Sequence, residues 1–286
     1  MTYRWGRWGA DDERGALNLI TPATIRRAAS CVTSGEQFSL AVPLQAGRGP
    51  ISAGRQPMQH FMTRHGGDYA AGLPERGFGF ADDYVLLATH GTTHLDALAH
   101  VWKDGLMWNG YPATVVTSIG AARCGIDKTG PITTRAILVD LDQGDGPGER
   151  RIGVDELRDA VAATGVQPEE GDALLVRTGW LRRWRAGTAT ERQWSGLDVG
   201  CAQWIDQQGF ALVGADNIGV EFGPSPDPQD AAPLHVQLIR NCGIYLLELL
   251  DLEPVIATGR SEFMLVVAPM PIVGGVGSPV NPVAVL

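Results

Sequence analysis

Cationic side chains are in short supply in this chain. Lysine and arginine total 23 against 32 aspartate and glutamate residues, a net charge of −9. A surface of that sign repels phosphate backbones, which argues against a nucleic-acid partner. The densest basic cluster, Arg182-Arg183-Trp184-Arg185, reads as a solvated helix face or loop. Cysteine is scarcer still. Cys31, Cys124, Cys201 and Cys242 stand far apart and form no Cys-x-x-Cys pair. That excludes a zinc ribbon or a dithiol redox motif and fits reduced, mostly buried thiols. No stretch comes near the ~18 uninterrupted apolar residues of a membrane-spanning helix. The N-terminus, Met1-Thr-Tyr-Arg-Trp-Gly-Arg-Trp8, lacks the apolar run of ~7–15 residues that a secretory signal needs. The expectation is a cytoplasmic protein without a membrane partner. Two chemical signatures are also missing: a His-Glu-x-x-His helix, and a Gly-x-Gly-x-x-Gly turn between a strand and a helix. Gly274-Gly-Val-Gly277 has no helix after it and reads as a turn.

Glycine (37) and proline (18) are abundant, about a fifth of the 286 residues. Average usage is about 12%, so the chain has many turns and is not a helical bundle. Residues 42–82 show little periodicity and read as long loops. Five short apolar runs read as strands buried on both faces: Ala136–Asp140, Ala173–Arg177, Phe210–Gly214, Gly243–Leu247 and Phe263–Val267. Helices fall between them. Thr21-Pro22 supplies an N-cap and a first-turn proline for a helix through Ala29. Val154–Ala163 has a helical pattern, Ser195 is placed to cap a helix ending before Gly209, and Pro233–Arg240 leads into the strand at Gly243. This mixture predicts an α/β fold, one domain over residues 1–286.

There are six histidines, and three of them, His90, His94 and His100, fall within eleven residues together with Asp96. A lone histidine is more often a core or surface residue; three with an aspartate at this spacing favour a metal site. In a strand, positions 90, 92, 94, 96, 98 and 100 share one face, while the other face is small or apolar. An ideal strand would nevertheless hold His90 and His94 ~13 Å apart, too far for two nitrogens that must each come within ~2.0–2.1 Å of one ion. In a regular helix Asp96 would swing away from His94. The segment must therefore bend, with Gly91 the natural place, and a turn from Asp96 would bring His100 back. Imidazole with carboxylate suits zinc or manganese. An open catalytic ion makes water acidic, and a histidine that is not a ligand can move the proton.

The run His90-Gly-Thr-Thr-His94-Leu-Asp96-Ala-Leu-Ala-His100-Val-Trp102 resembles the His-x-Gly-Thr-His-x-Asp-x-Pro-x-His signature of the cyclase family of metal-dependent hydrolases, which includes bacterial kynurenine formamidase and isatin hydrolase. Thr92 replaces the glycine of that motif and Leu98 its proline. Supporting stretches are Trp5–Thr21, Asp104–Pro112, Leu175–Trp180, Pro233–Glu248 and the C-terminal Gly-Ser-Pro-Val-Asn-Pro, and they point to a longer branch of the family. The resemblance implies a β-rich α/β architecture of swivelling-domain type, with a central mixed sheet and covering helices. It implies that His90, His94 and Asp96 are metal ligands, that His235 and Glu248 complete the site for one or two zinc or manganese ions, and that His100 is the general acid/base. It further implies a homodimer or homotetramer in which a partner subunit lends an aromatic side chain, for which Trp5 or Trp8 is placed.

Trp8, Trp102, Asp216 and Arg177 are the candidate substrate contacts. Asp216 follows one predicted strand and Arg177 ends another, a position where α/β folds commonly carry functional groups. Arg177 could orient a carboxylate, although an internal salt bridge would also use it. His60 and His65 read as surface residues. The expected activity is hydrolysis of a small amide, lactam or formamide by metal-activated water. Lactone or ester hydrolysis, and a cyclase or lyase reaction on a polyketide-like carbonyl compound, are the alternatives.

Overall fold

The computed structural model describes residues 3–49, 54–144, 148–225, 227 and 230–286. Its principal strands are β1 Gln37–Ser39, β2 Gln59–Arg64, β3 Asp82–Leu86, β4 His94–Asp96, β5 Ile132–Asp140, β6 Ala173–Arg177, β7 Leu212–Ala215, β8 Tyr245–Glu248, β9 Glu262–Val267, β10 Gly277–Pro279 and β11 Val283–Val285. Nine of them form one mixed sheet in the order β1-β11-β9-β5-β6-β7-β8-β4-β10. The centre, β5 to β8, is parallel. Both flanks are antiparallel. The fold is thus mixed α/β, as read from the alternation of apolar runs and amphipathic segments.

The central strands are continuous Val, Leu, Ile and Ala because they are covered on both faces: every residue of β6, β7 and β8 is buried. The helix α1, Pro22–Ser30, starts where Thr21 accepts from the Thr24 amide and Thr24 answers from its hydroxyl. In α2, Val154–Ala163, Leu157 and Val161 share the buried face at a spacing of four, and Asp155 and Glu156 occupy the first turn. The helix α3 is Trp180–Arg185. The basic cluster is only partly the expected solvated face: Arg185 is exposed and pairs with Asp251, whereas Arg183 is buried and pairs with Asp142 and Glu149. Among the described residues no helix is long and apolar enough to cross a membrane. All four cysteines are free thiols, three of them buried.

Two further expectations differ from the structure. Ser195 caps no helix: its hydroxyl binds Glu149 and accepts from the Arg150 amide, and Gly196-Leu197 pair with Arg151-Ile152. The helix α4 begins only at Cys201 and stops at Gly209, whose φ of 77° suits a residue without Cβ. Residues 42–82 are not all loop either. The strand β2 lies in that stretch and pairs with β3 as a two-stranded ribbon outside the main sheet; residues 50–53 of the stretch lie outside the described residues.

One buried ionic centre ties the first helix to the sheet. The Asp172 side chain is fully buried ahead of β6 and meets Arg27 of α1 at 2.8 Å and Arg135 of β5 at 2.7 Å. Removing one member of such a cluster leaves buried charge without its counter-ion. Asp172→Ala is expected to lower the unfolding free energy by about 3 kcal/mol, seen as an earlier midpoint in urea. An unchanged midpoint would show that the cluster contributes nothing.

Candidate metal centre

The histidine segment bends twice. The Gly91 amide bonds the Ala88 carbonyl at 2.9 Å, closing a turn, and the chain then enters β4 at His94. After Asp96 the His100 amide bonds the Ala97 carbonyl at 2.9 Å, a second turn that folds His100 back. These are the bends that the spacing required. Thr93 anchors the segment between them: its hydroxyl donates to the Leu249 carbonyl and accepts from the Val42 amide.

Sheet register brings in the distant members. His94 of β4 pairs with Glu248 of β8, and Asp96 with Gly277 of β10. Directly opposed residues present their side chains on one face, so the register sets Glu248 beside His94. His235 arrives from the start of α5, the helix that runs Pro233–His235 and continues as a wider π-type turn over Val236–Cys242. Single π-type turns inside helices often mark functional sites.

The Asp96 carboxylate is the centre. Its Oδ1 lies 3.2 Å from His90 Nε2, 3.3 Å from His94 Nε2 and 3.9 Å from His100 Nε2. Its Oδ2 lies 3.8 Å from His235 Nε2. Glu248 reaches His94 Nε2 at 3.4 Å and His235 Nε2 at 3.1 Å. The donor atoms fall into two triads that share Asp96, His90/Asp96/His100 and His94/Asp96/Glu248, each with all its atoms within 4.8 Å. The ring of His100 stacks on His90 with centroids 4.0 Å apart. A Cβ on Gly277 would lie 2.4 Å from His90 Nε2, so this wall of the site must be glycine.

Outside the cluster, other groups orient the rings. His94 Nδ1 stands 2.7 Å from the Thr92 carbonyl, which can only accept; Nδ1 therefore carries the hydrogen and Nε2 turns its lone pair to the carboxylates. His90 Nδ1 meets the Thr89 hydroxyl at 3.1 Å. His235 Nδ1 makes a short contact with Glu221, which also accepts from the Leu234 and His235 amides at the start of α5. Val220 and Leu249, next to Glu221 and Glu248, have φ of 60° and 56°, a region that bulky residues rarely adopt. Buried Asn217 holds both, accepting from the Val220 amide on its side chain and from the Leu249 amide on its backbone.

Burial disfavours charge on every member, and the neighbours decide the outcome. Burial would raise the Asp96 carboxyl, but the facing imidazoles hold it well below the usual carboxylate range. Glu248 is held down in the same way by His94 and His235, against burial and Asp96. His94 and His235 rise despite burial, His94 because of Glu248 and Asp96, His235 because of Glu221 and Glu248. Burial pushes His100 down to about 4, with Asp96 opposing and His90 and His235 adding to the fall.

Three buried atoms of the cluster, His90 Nε2 and both carboxylate oxygens of Asp96, have no hydrogen-bond partner. Leaving such groups unmatched is expensive. A divalent cation fits the defect, because it accepts lone pairs from nitrogen and oxygen together.

The structure brings together His90, His94, Asp96, His100, His235 and Glu248. It does not bring Asp216 or Arg177 to the cluster, although both stand near the same sheet edge as Glu248. Asp216 is buried and accepts from the Thr178 amide and hydroxyl and the Gly179 amide; burial raises its carboxyl to about 6. The Arg177 guanidinium is shared among Asp140, Asp142 and Glu253, so the substrate-orienting expectation meets an arginine already neutralised inside the protein. Trp8 packs on Trp108, Trp5 donates to the Arg240 carbonyl, and half-exposed Trp102 lies two residues past His100. His60 pairs with Asp83 and His65 caps a short helix, both at the surface. Glu221 and Asn217 were not assigned from the sequence. Their position just past a strand end was the one available signal.

Comparison with known proteins places this geometry. The family described as "Putative cyclase" matches residues 38–222. A crystal structure described as a novel cyclase is 36% identical and covers 100% of both chains, with a TM-score of 0.92. Isatin hydrolase A from Ralstonia solanacearum shares the fold, with a TM-score of 0.65 at 23% identity over 92% of this chain and 97% of its own. A stretch of 98 residues is 37% identical to dialkyldecalin synthase from Streptomyces rugosporus, spanning 32% of this chain and 19% of the synthase. With a family match over more than half its length and an end-to-end structural relative, this chain belongs to the cyclase family.

Proposed function

We propose that this chain is a metal-dependent hydrolase that opens the C–N bond of a small amide, lactam or formamide. The observation that carries the reading is the buried, unpartnered set His90 Nε2, Asp96 Oδ1 and Asp96 Oδ2, in contact with His94 and close to Glu248. His90, His94 and Asp96, with His235 and Glu248 beside them, would hold one or two divalent ions, zinc or manganese. An ion held there supplies Lewis acidity, polarising a carbonyl and making water acidic near neutral pH.

The chain's own residues supply the rest. His100 is the proton carrier. Its side chain is 24% exposed, against 8% or less for His90 and His94, so it faces the side open to a substrate. Its low pKa leaves it neutral at pH 7 and able to accept a proton from water. Delivering that proton to the departing nitrogen completes the cleavage, because an amide anion is a poor leaving group. Glu221 and the Thr92 carbonyl fix which ring nitrogens of His235 and His94 face the cluster. Lactone or ester hydrolysis would use the same groups with less demand on His100. The partial likeness to dialkyldecalin synthase supports a second reading, in which the cluster acts on a carbonyl compound by carbon-centred proton transfer.

Oxygen-18 water separates the two readings. Hydrolysis of aryl formamides, lactams or lactones must place the label in the product carboxylate; turnover that leaves the label in solvent would favour the lyase or cyclase reading. A contrast of variants tests the roles. His94→Ala is expected to lose bound metal and activity together. His100→Asn is expected to keep full metal content and to lose ~100-fold or more in kcat. Loss of metal in the second variant would make His100 a ligand. The raised pKa values of His94 and His235 give a sign for pH. Metal needs the neutral rings, so affinity should rise as pH climbs from the ordinary imidazole range of about 6.5 through the raised values, with protons released on binding. Titration calorimetry in two buffers of different ionisation heat reads that release. Glu221→Gln should shrink it and weaken metal binding ~10–100-fold.

A further inference from the structure

Three histidines of the centre have rings oriented from outside the donor set. Through Nδ1, His90 meets the Thr89 hydroxyl, His94 the Thr92 carbonyl and His235 the Glu221 carboxylate. His100 differs: among the described residues neither of its ring nitrogens makes a hydrogen bond. Its ring stacks on His90 with centroids 4.0 Å apart and stands 3.9 Å from Asp96. A stack constrains the plane of a ring more than its position within that plane. The backbone that follows must fix the rest, and it is a tight hairpin. Val101 and Trp102 lead to Lys103, which exchanges both backbone hydrogen bonds with Leu106, each at 3.1 Å. Asp104 and Gly105 between them have φ of 53° and 72°, as a two-residue type I′ loop requires. One side chain clamps this hairpin to α5. Arg240 is 4% exposed in the π-type turn of that helix. It donates from Nε to the Leu106 carbonyl at 2.9 Å and from Nη2 to the Lys103 carbonyl at 3.1 Å. Each carbonyl already accepts across the loop, and its second lone pair takes the guanidinium.

We propose that Arg240 is a positioning residue that fixes His100 against the metal centre, an inference that rests on the reading of His100 as proton carrier. The helix that carries Arg240 also carries His235, so the clamp ties the segment after His100 to the element that presents a candidate ligand. A cation at this place calls for such a role. Arg240 forms no ion pair among the described residues. Taking a guanidinium out of water without a counter-ion is costly, and an apolar side chain would fill the space without that cost. It is offset by the two carbonyls, by the Asn241 side-chain oxygen at 2.7 Å from Nη1, and by the rings of Trp5 and Tyr3, whose centroids lie 4.9 and 5.4 Å from the guanidinium carbon. What the guanidinium adds is a rigid fork that reaches two carbonyls at once, which a lysine ammonium does not reproduce. The other tie of the hairpin, Lys103 to Asp230 at 3.2 Å, is a solvated pair of little worth. Proton transfer needs the carrier within hydrogen-bond reach, and a misplacement of about 1 Å can cost ~100-fold in rate.

Hydrogen exchange of the full chain with zinc added tests the clamp. In Arg240→Lys and Arg240→Met the Lys103 and Leu106 amides should exchange ~10–100-fold faster, as expected for lost hydrogen bonds from a charged group. The His100 amide should follow them, while residues 173–177 and the zinc content stay as in the wild type. Faster exchange confined to the hairpin, with His100 unchanged, would overturn the proposal. So would no acceleration, loss of zinc, or acceleration in both variants that reaches residues 173–177 equally, the mark of a general packing residue. Formanilide hydrolysis gives the chemical readout. Arg240→Lys should lower kcat ~10–100-fold at unchanged KM, and in the His100→Asn background the same substitution should cost nothing more. Additive losses would show that the arginine acts by another route and would also overturn the proposal. A wild type that leaves formanilide intact would count against the hydrolase reading alone, because the exchange measurement needs no substrate.

Discussion

A single buried carboxylate sets the terms for this protein. The Asp96 side chain has no exposed surface and no hydrogen-bond partner, and it faces the imidazoles of His90, His94, His100 and His235. A charge so far from water persists only where opposite charge surrounds it. The local architecture follows from that demand. The strand β4 is held between β8 and β10, so that Asp96 and His94 are positioned from both sides by backbone bonds. The β10 neighbour is Gly277 because the His90 ring occupies the space that a Cβ would need.

Around the carboxylate, support comes from groups that orient rings. A backbone carbonyl does this for His94, a hydroxyl for His90 and a carboxylate for His235. This explains why Thr92 can stand where the family motif has glycine. Its contribution is the carbonyl oxygen, which any residue provides. Leu98, in place of proline, is fully buried against Gly15, so it serves packing. Asn217 is a further support, holding the strained residues beside Glu221 and Glu248 in one set of hydrogen bonds. Such strain persists only where the surroundings over-determine it.

The same sheet edge holds two kinds of polar group. Asp216 and Arg177 sit at the ends of β7 and β6, in positions that often bear function in α/β folds. Here they are consumed internally, Asp216 by the Thr178–Gly179 turn and Arg177 by three carboxylates. Glu248, at the end of β8, is different because its neighbours are the imidazoles of β4 and α5. What distinguishes these strand ends is therefore what lies across from each, and not the end itself.

Much of this was readable in one dimension. Strand Ala173–Arg177 and helix Val154–Ala163 have the limits their apolar patterns predicted, since burial of a local face leaves a local trace. The two bends of the histidine segment followed from reach alone: extended chain would keep the imidazoles too far apart to share an ion. The error at Ser195 has the same origin, for nothing local shows that Glu149 will claim its hydroxyl. His235 and Glu248 were legible only through likeness to a family, and Glu221 and Asn217 were not assigned at all. By itself, then, the chain determined the donor types, their crowding near residue 90 and the buried strands that carry them. The tertiary structure decided which carboxylates meet which rings. Strand register and the approach of α5 join residues more than a hundred positions apart, and no periodicity along the chain encodes such contacts.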